Sequence, residues 1–307
     1  NMPEGEPGGP DTEMFYDFDP ANNEGEHVHD IHKKSKWSQE ICHPNCDCGR
    51  FMEIGNNVFM QYKKTANGFE ELPQMNVDHG SGLERWVAAI RNDADMFNID
   101  VFSDAKNILE KISGVPYVSD IAVTYTDLKN PTFAYRVILD HVRAATFLIG
   151  DGIVPGNKDQ MYFVRRLIRR AVRYALNLGI RENFMSKISQ TFVEYYKGPY
   201  PQLFERKETV YMELDKEETK FRTTLEKGIK EFEKLGVDTI SGIHAFNLLQ
   251  SFGFPIELTE ELAMERGISV DREAFDIEKE AHSEASRTAS AGKFKGGLGG
   301  DGEIETK

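Results

Sequence analysis

The hydrophobic period of this chain changes once, between Gly80 and Gly82, and that change restricts the fold to a sheet region followed by a helical one. Residues 50–64 and 69–78 alternate at the period of strands, with Asn67-Gly68 as the turn between them. From Gly82 onward the apolar spacing is that of helices. The pattern predicts helices over 82–92, 100–113, 133–149, 159–178, 184–196, 203–234, 241–251, 257–266 and 271–286. Gly/Pro signals at 114–116, 150–156, 198–201 and 253–255 separate them. Upstream, 1–12 reads as loop, Met14 to Phe18 as a short strand, and 19–48 as polar and irregular. Residues 286–307 are rich in Ser, Gly and Lys and read as a linker. The expected class is α+β, an antiparallel sheet followed by a mostly helical domain.

The switch point is Asn76-Val77-Asp78-His79-Gly80-Ser81-Gly82-Leu83-Glu84-Arg85. It reads as a strand end, a glycine turn and the start of a helix. Gly80 and Gly82 allow a sharp turn and close approach of a ligand. The helix start offers unpaired N–H groups and a positive dipole end. Arg85 adds a fixed charge suited to a polyphosphate, and Asp78 suits a cationic amine. Strand-to-helix turns often carry glycine, so the bland reading stays open for this segment alone. Asn56 shares a predicted strand face with Met52, Ile54, Val58, Met60 and Tyr62. A buried amide there bonds the backbone or faces a ligand.

The net charge of −14 over 307 residues argues against a nucleic-acid partner, but the charge is unevenly spread. Residues 1–32 hold nine acids and no Lys or Arg, whereas 136–181 hold nine Lys/Arg against three acids. An acidic protein with such a segment can still present a basic face. Arg165, Arg166, Arg169, Arg170 and Arg173 fall within an arc of roughly 140° on a helix. No acid is interleaved, which favours phosphate contact over a solvated face. His141, in Asp140-His141-Val142-Arg143, reads as a satisfied core or capping group. Asn157 either caps the arginine helix or presents its amide to a base edge.

No apolar run is long enough to span a bilayer. All three cysteines lie in Cys42-His43-Pro44-Asn45-Cys46-Asp47-Cys48, downstream of His27, His29 and His32. The odd count argues against a disulfide framework and for a reducing, cytoplasmic setting. Cys42, Cys46, Cys48 and His43 are candidate Zn2+ ligands, with free thiols in a loop as the alternative.

Together these segments resemble the alanyl-tRNA synthetase family of class II aminoacyl-tRNA synthetases. The matches include Gly9-Pro10-Asp11-Thr12-Glu13, Glu53 to Tyr62, Asn76 to Arg85, Asp140 to Arg143, Asp151 to Asn157, Arg165 to Arg173, Phe252 to Thr259 and Ser286 to Leu298. They run in family order along almost the whole chain. The resemblance implies a partial class II catalytic sheet over 1–93, a helical tRNA-recognition domain over 94–285, and a linker toward an editing domain over 286–307. The family's motifs 1 and 2 have no match here, so the chain alone is expected to be inactive.

What the resemblance implies for individual residues is specific. Asp78 would pair with the amino group of alanine, Gly80 would line the pocket for its methyl, and Asn56 would help hold alanine or its adenylate. Gly82 and Arg85 belong to motif 3, and Arg85 would contact the phosphates of ATP, which arrives with Mg2+. Asn157 and Glu257 would approach the G·U wobble pair of tRNA(Ala), and the arginine face would grip its backbone. Three positions depart from the family: Glu257 where Asp is usual, Gly55 where Trp is usual, and His79 where Thr is common. The implied whole activity is alanine activation with ATP and transfer to the tRNA 3′ end. Two alternatives are a non-catalytic acceptor-stem binder and one subunit of a split synthetase.

Overall fold

The computed structural model describes residues 3–20, 37, 40–46, 48–120, 123, 127–235 and 238–293, with side chains of 283 and 285–293 excluded. Strand β3 (Phe51–Thr65) is the spine of the sheet. On one side it pairs antiparallel with β1 (Pro7–Gly8) and β2 (Asp11–Asp17); on the other with β4 (Gly68–Ser81). β2 thus starts three residues before the strand expected at Met14, because Asp11 faces Val58 and Thr12 faces Asn57. The pairing of β3 with β4 shifts between Met60 and Tyr62. Pro73 lies on β4 opposite that shift, at an edge where its missing N–H costs little.

The Gly80 expectation needs correction. β4 runs through Gly80 to Ser81, because Asn56 and Gly55 still offer pairing partners there. Gly82, at φ −92°, is the cap of α1 (Leu83–Arg91). Neither glycine adopts a left-handed conformation. What each supplies is the absence of a Cβ. One at Gly80 would sit 3.0 Å from Asn56 Oδ1, and one at Gly82 would sit 3.1 Å from Arg85 Cδ.

Beyond α1 come two short 3-10 turns, Met96–Asn98 and Asp100–Phe102, and then the helices. These are α2 (Ser103–Ser113), α3 (Pro131–Gly150), α4 (Asp159–Asn177), α5 (Met185–Tyr196), α6 (Pro201–Glu205) and α7 (Lys207–Lys234). After them follow α8 (Gly242–Phe252), α9 (Ile256–Glu265) and α10 (Arg272–Lys293). The helix expected over 203–234 is broken at Arg206, whose guanidinium reaches back to the Gly150 carbonyl at 3.0 Å. α10 continues past residue 286 to Lys293, so the expected linker is helical that far; residues 294–307 lie outside the described set. Strands β5 (Thr239–Ile240) and β6 (Ser269–Val270) form a small parallel pair.

α3 starts at Pro131, ahead of the expected 133. Asn130 accepts from the Thr132 N–H at 2.8 Å and Pro131 occupies the first turn. It is the central helix, with Tyr135, Ile138, Leu139, Val142 and Ala145 fully buried. α4 packs along it through Val164, Ile168, Ala171, Val172 and Ala175. Ala88 of α1 belongs to the same apolar core as the helices, and Met52 of β3 packs against it. Packing is therefore continuous across residue 93.

Candidate functional site

Antiparallel pairing sorts the sheet residues into faces. Asn56 lies opposite Gly80, and Val58 opposite Asp78, so Asn56, Asp78 and Gly80 share one face. The other face carries a row of side chains across three strands. His79 Nδ1 lies 2.9 Å from Asn57 Oδ1, and Asn57 Nδ2 donates to Thr12 Oγ1 at 3.3 Å. His79, a departure from the family pattern, thus has a bonding partner of its own. Gly55 is a close-packed position: a Cβ there would come within 2.9 Å of Met14 Cε and 3.0 Å of the Gly80 carbonyl oxygen.

Arg85 folds back over Gly82 to the start of β3. Its Nη1 donates to the Glu53 carbonyl at 2.9 Å and to the Glu53 carboxylate at 3.3 Å. Its side chain stays 46% exposed, so the guanidinium is oriented yet open to solvent. A surface pocket of about 420 Å³ opens beside it, also lined by Glu53, Phe97 and Arg136. Arg136 is fully engaged there, donating to the buried carboxylate of Asp95 at 3.2 Å and to the carbonyls of Asp120 and Val123. Asp95 also accepts from Tyr117 Oη at 2.6 Å and Ser119 Oγ at 2.8 Å. Burial raises its pKa, but these hydrogen bonds and the Arg136 charge outweigh burial and hold the carboxyl below its ordinary value.

The arginine helix requires the largest correction. The sequence shows no nearby acid, but the fold brings four glutamates to the five arginines. Arg166 Nη1 donates to Glu257 at 2.7 Å, Arg170 Nε donates to Glu261, and Arg173 Nη2 donates to Glu265. Arg169 donates twice to Glu217, at 2.8 and 2.5 Å, and once to the Gly253 carbonyl. Arg165 Nε lies 3.2 Å from Glu217 and its Nη1 donates to Asn157 Oδ1. Arg169 and Arg173 are buried, so the expected unneutralised face does not exist. Arg166 and Arg170 keep 33% and 26% of their side chains exposed.

Asn157 does not cap α4; Lys158 occupies that position, and no side chain bonds there. Asn157 and Glu257 are instead held by consecutive arginines, Arg165 and Arg166. His141 is satisfied, as expected: Arg170 Nη1 donates to its Nε2 at 2.9 Å, so its Nδ1–H faces Asp140 at 3.0 Å. Arg143 donates to Glu84, tying α3 to α1. Sequence reasoning missed Glu217, Glu261 and Glu265 because their only signal is matching helical spacing far downstream.

The described cysteines form one group. The Sγ atoms of Cys42, Cys46 and Cys48 all lie within 4.8 Å of one another and are buried. His43, expected with them, is not part of that group; its Nδ1 accepts from the Asn45 N–H at 3.2 Å. His27, His29 and His32 lie outside the described residues. Among the described residues, no helix is long and apolar enough to cross a membrane.

Comparison with known proteins agrees with this architecture. The alanine–tRNA ligase of Borrelia hermsii (strain HS1 / DAH) is 37% identical over 299 residues, 95% of this chain and 46% of that protein. That of Treponema pallidum (strain Nichols) is 37% identical over 310 residues, 96% of this chain and 47% of that protein. That of Desulfitobacterium hafniense (strain Y51) is 38% identical over 257 residues, 81% of this chain and 28% of that protein. The chain therefore spans half or less of the length of the curated relatives it matches. A family model described as tRNA synthetases class II (A) matches residues 1–298, and the chain belongs to that family.

Proposed function

We propose that this chain supplies the alanine-selecting part of an aminoacylation site and the tRNA-reading helices of an alanine–tRNA ligase. The observation that carries the reading is the pairing of Asn157 and Glu257, far apart in sequence, with the consecutive arginines Arg165 and Arg166 of α4. Exposed Asn157, just before α4, and half-buried Glu257, in the first turn of α9, are polar side chains of a kind that hydrogen-bonds base edges. They would approach the wobble pair of the tRNA(Ala) acceptor stem. Of the five arginines, Arg166 and Arg170 have the exposure to reach phosphate; Arg165 and Arg169 are held by Glu217, and Arg173 by Glu265. Residues 1–93 would form part of the catalytic domain and 94–285 the tRNA-recognition domain.

On the sheet, Asp78 would accept from the alanine ammonium and Asn56 would bond the alanine or its adenylate. Gly80 would leave room for a methyl and no more. Gly82 and Arg85 would meet the phosphates of ATP, delivered as its Mg2+ complex, with the Glu53 contacts aiming the guanidinium. These groups position and neutralise rather than react. The family's α-phosphate arginine has no match in this chain, so residues of the whole ligase outside this chain would complete the site. Exposed Met75 and Val77 on β4, with Leu83 and Ile90 on α1, offer the apolar surface such residues would cover.

The test is fluorescence anisotropy with an acceptor-stem hairpin of tRNA(Ala). Salt-sensitive binding that weakens when G·U becomes G·C supports the reading; equal binding of both hairpins overturns it. Alanine-dependent ATP–pyrophosphate exchange by the chain alone would overturn the incomplete-site part. A second reading, an acceptor-stem binder without catalysis, is favoured by the continuous helical core. It predicts that no added catalytic segment restores exchange.

A further inference from the structure

The segment between β2 and β3 ends in a feature that the proposed function does not use. Among the described residues, its buried apolar cluster contains Cys42, Cys46 and Cys48, with Phe51 packed against it. Three clustered thiols are more than an apolar contact needs, and small elements are commonly held by a covalent or metal tie. The local backbone is already folded around them. The Cys46 N–H donates to the His43 carbonyl at 2.8 Å, and Gly49 turns the chain back at φ +82°, a conformation that favours glycine.

The spacing of the sulfurs decides between the two ties. A disulfide needs sulfurs about 2.05 Å apart and uses two of them. Here Cys42 and Cys48 stand 3.4 Å apart, with Cys46 completing a triangle whose members all fall within 4.8 Å. Thiolates bound at ~2.3 Å around one tetrahedral ion lie roughly 3.8 Å from each other. The 3.4 Å pair lies close to that value, and the 4.8 Å limit admits it for the other two. Burial of all three thiols, with Cys48 fully buried, excludes water from the point they surround.

We propose that Cys42, Cys46 and Cys48 bind one zinc ion as a structural site that fixes the entry to β3. Soft thiolates at tetrahedral spacing select zinc among the common divalent ions. Each thiol releases its proton to solvent as its sulfur bonds the ion. The three leave one tetrahedral position to a ligand from outside the group. The tie has a mechanical target. Arg50 forks onto Asp17 at 2.8 and 2.7 Å, Asp17 pairs with Phe51, and Glu53 two residues on holds Arg85. The ion thus anchors the first strand residues that position Arg85. The binding site itself stands independently of any catalytic role for that arginine.

The test is metal analysis of the purified 307-residue chain, followed by cobalt exchange. One zinc per chain, and a thiolate-to-cobalt charge-transfer band after exchange, are expected. Cys46→Ser and Cys48→Ser should each lower bound zinc roughly tenfold or more, whereas His43→Ala should retain it. Chelation should lower the Tm of the wild-type chain, with no effect on the Cys48→Ser variant. A metal-free chain without a cobalt charge-transfer band overturns the proposal. So does a Cys42–Cys48 disulfide in freshly purified protein, or iron or copper in place of zinc. Loss of zinc from His43→Ala overturns the three-thiolate ligand set.

Discussion

Arg169 and Glu217 form a buried pair joining α4 to α7: two guanidinium nitrogens share one carboxylate oxygen, and the third donates to the Gly253 carbonyl. Burial pulls the Arg169 pKa below its ordinary value, and Glu217 opposes that pull. The pair is a condition of folding rather than an exposed phosphate contact.

Glu217→Ala is accordingly expected to destabilise the chain by about 3–5 kcal/mol, since it leaves a buried guanidinium uncompensated. Urea unfolding measures this. The double change Arg169→Met with Glu217→Leu should recover most of the loss. Arg169→Glu should lose helical structure before RNA is added, so circular dichroism must precede any binding assay on that variant.

Arg166→Ala is expected to behave differently. Its pair with Glu257 is about one-third exposed on both sides, so the stability cost should stay within about 1 kcal/mol. Acceptor-stem binding should weaken, and the slope of log affinity against log salt should fall by about one unit. An unchanged slope would remove Arg166 from the phosphate contacts.

Two helical glycines should resist the substitution that usually helps helices. A Cβ at Gly242 would meet the Ala274 carbonyl carbon and the Phe275 nitrogen at 2.3 Å; one at Gly228 would meet Phe254 Cε2 at 2.2 Å. Gly→Ala in a helix ordinarily gains ~1 kcal/mol. Here overpacking of about 1–3 kcal/mol reverses the sign, most firmly at Gly242, where the obstacle is backbone. Gly198→Ala, with nothing within 4 Å, is the control and should be neutral in thermal melts.

Acid should weaken the Asp95 cluster. Its carboxyl has a lower pKa folded than unfolded, so the unfolded chain takes up the proton first as pH falls. The stability it contributes is present above the ordinary carboxylate pKa and is lost as pH drops through that range toward the lowered value. Thermal melts should show a smaller acid loss for Asp95→Asn than for wild type. The variant should also be less stable near neutrality by about 3 kcal/mol, because Arg136 loses its charged partner.

The order of elements was legible in the sequence because hydrophobic period and Gly/Pro punctuation are local signals. The Gly/Pro signal at 253–255 marked the end of α8 correctly. Three features were not local. The extension of β2 to Asp11 and of β4 through Gly80 depends on partners that β3 supplies. The break at Arg206 depends on the Gly150 carbonyl. The neutralised arginine face depends on glutamates 48 to 92 positions away. For the candidate site, the motif residues Asn56, Asp78 and Gly80 could be read in sequence, but their common face required the strand register.

The rungs Arg166–Glu257, Arg170–Glu261 and Arg173–Glu265 connect two helices whose charges repeat at nearly the same interval. Such an arrangement works like a vernier. Sliding α9 by one turn, roughly 6 Å, would match Arg166 with Glu261 and Arg170 with Glu265, re-forming two rungs of three. Charge therefore dictates that the helices run alongside in the same direction, but leaves the setting of the scale open. The corner before α9 sets it: Gly253 receives Arg169, and the fully buried ring of Phe254 seats over Gly228. The placement of Glu257 against Arg166 is thus calibrated at that corner, in the middle of the core.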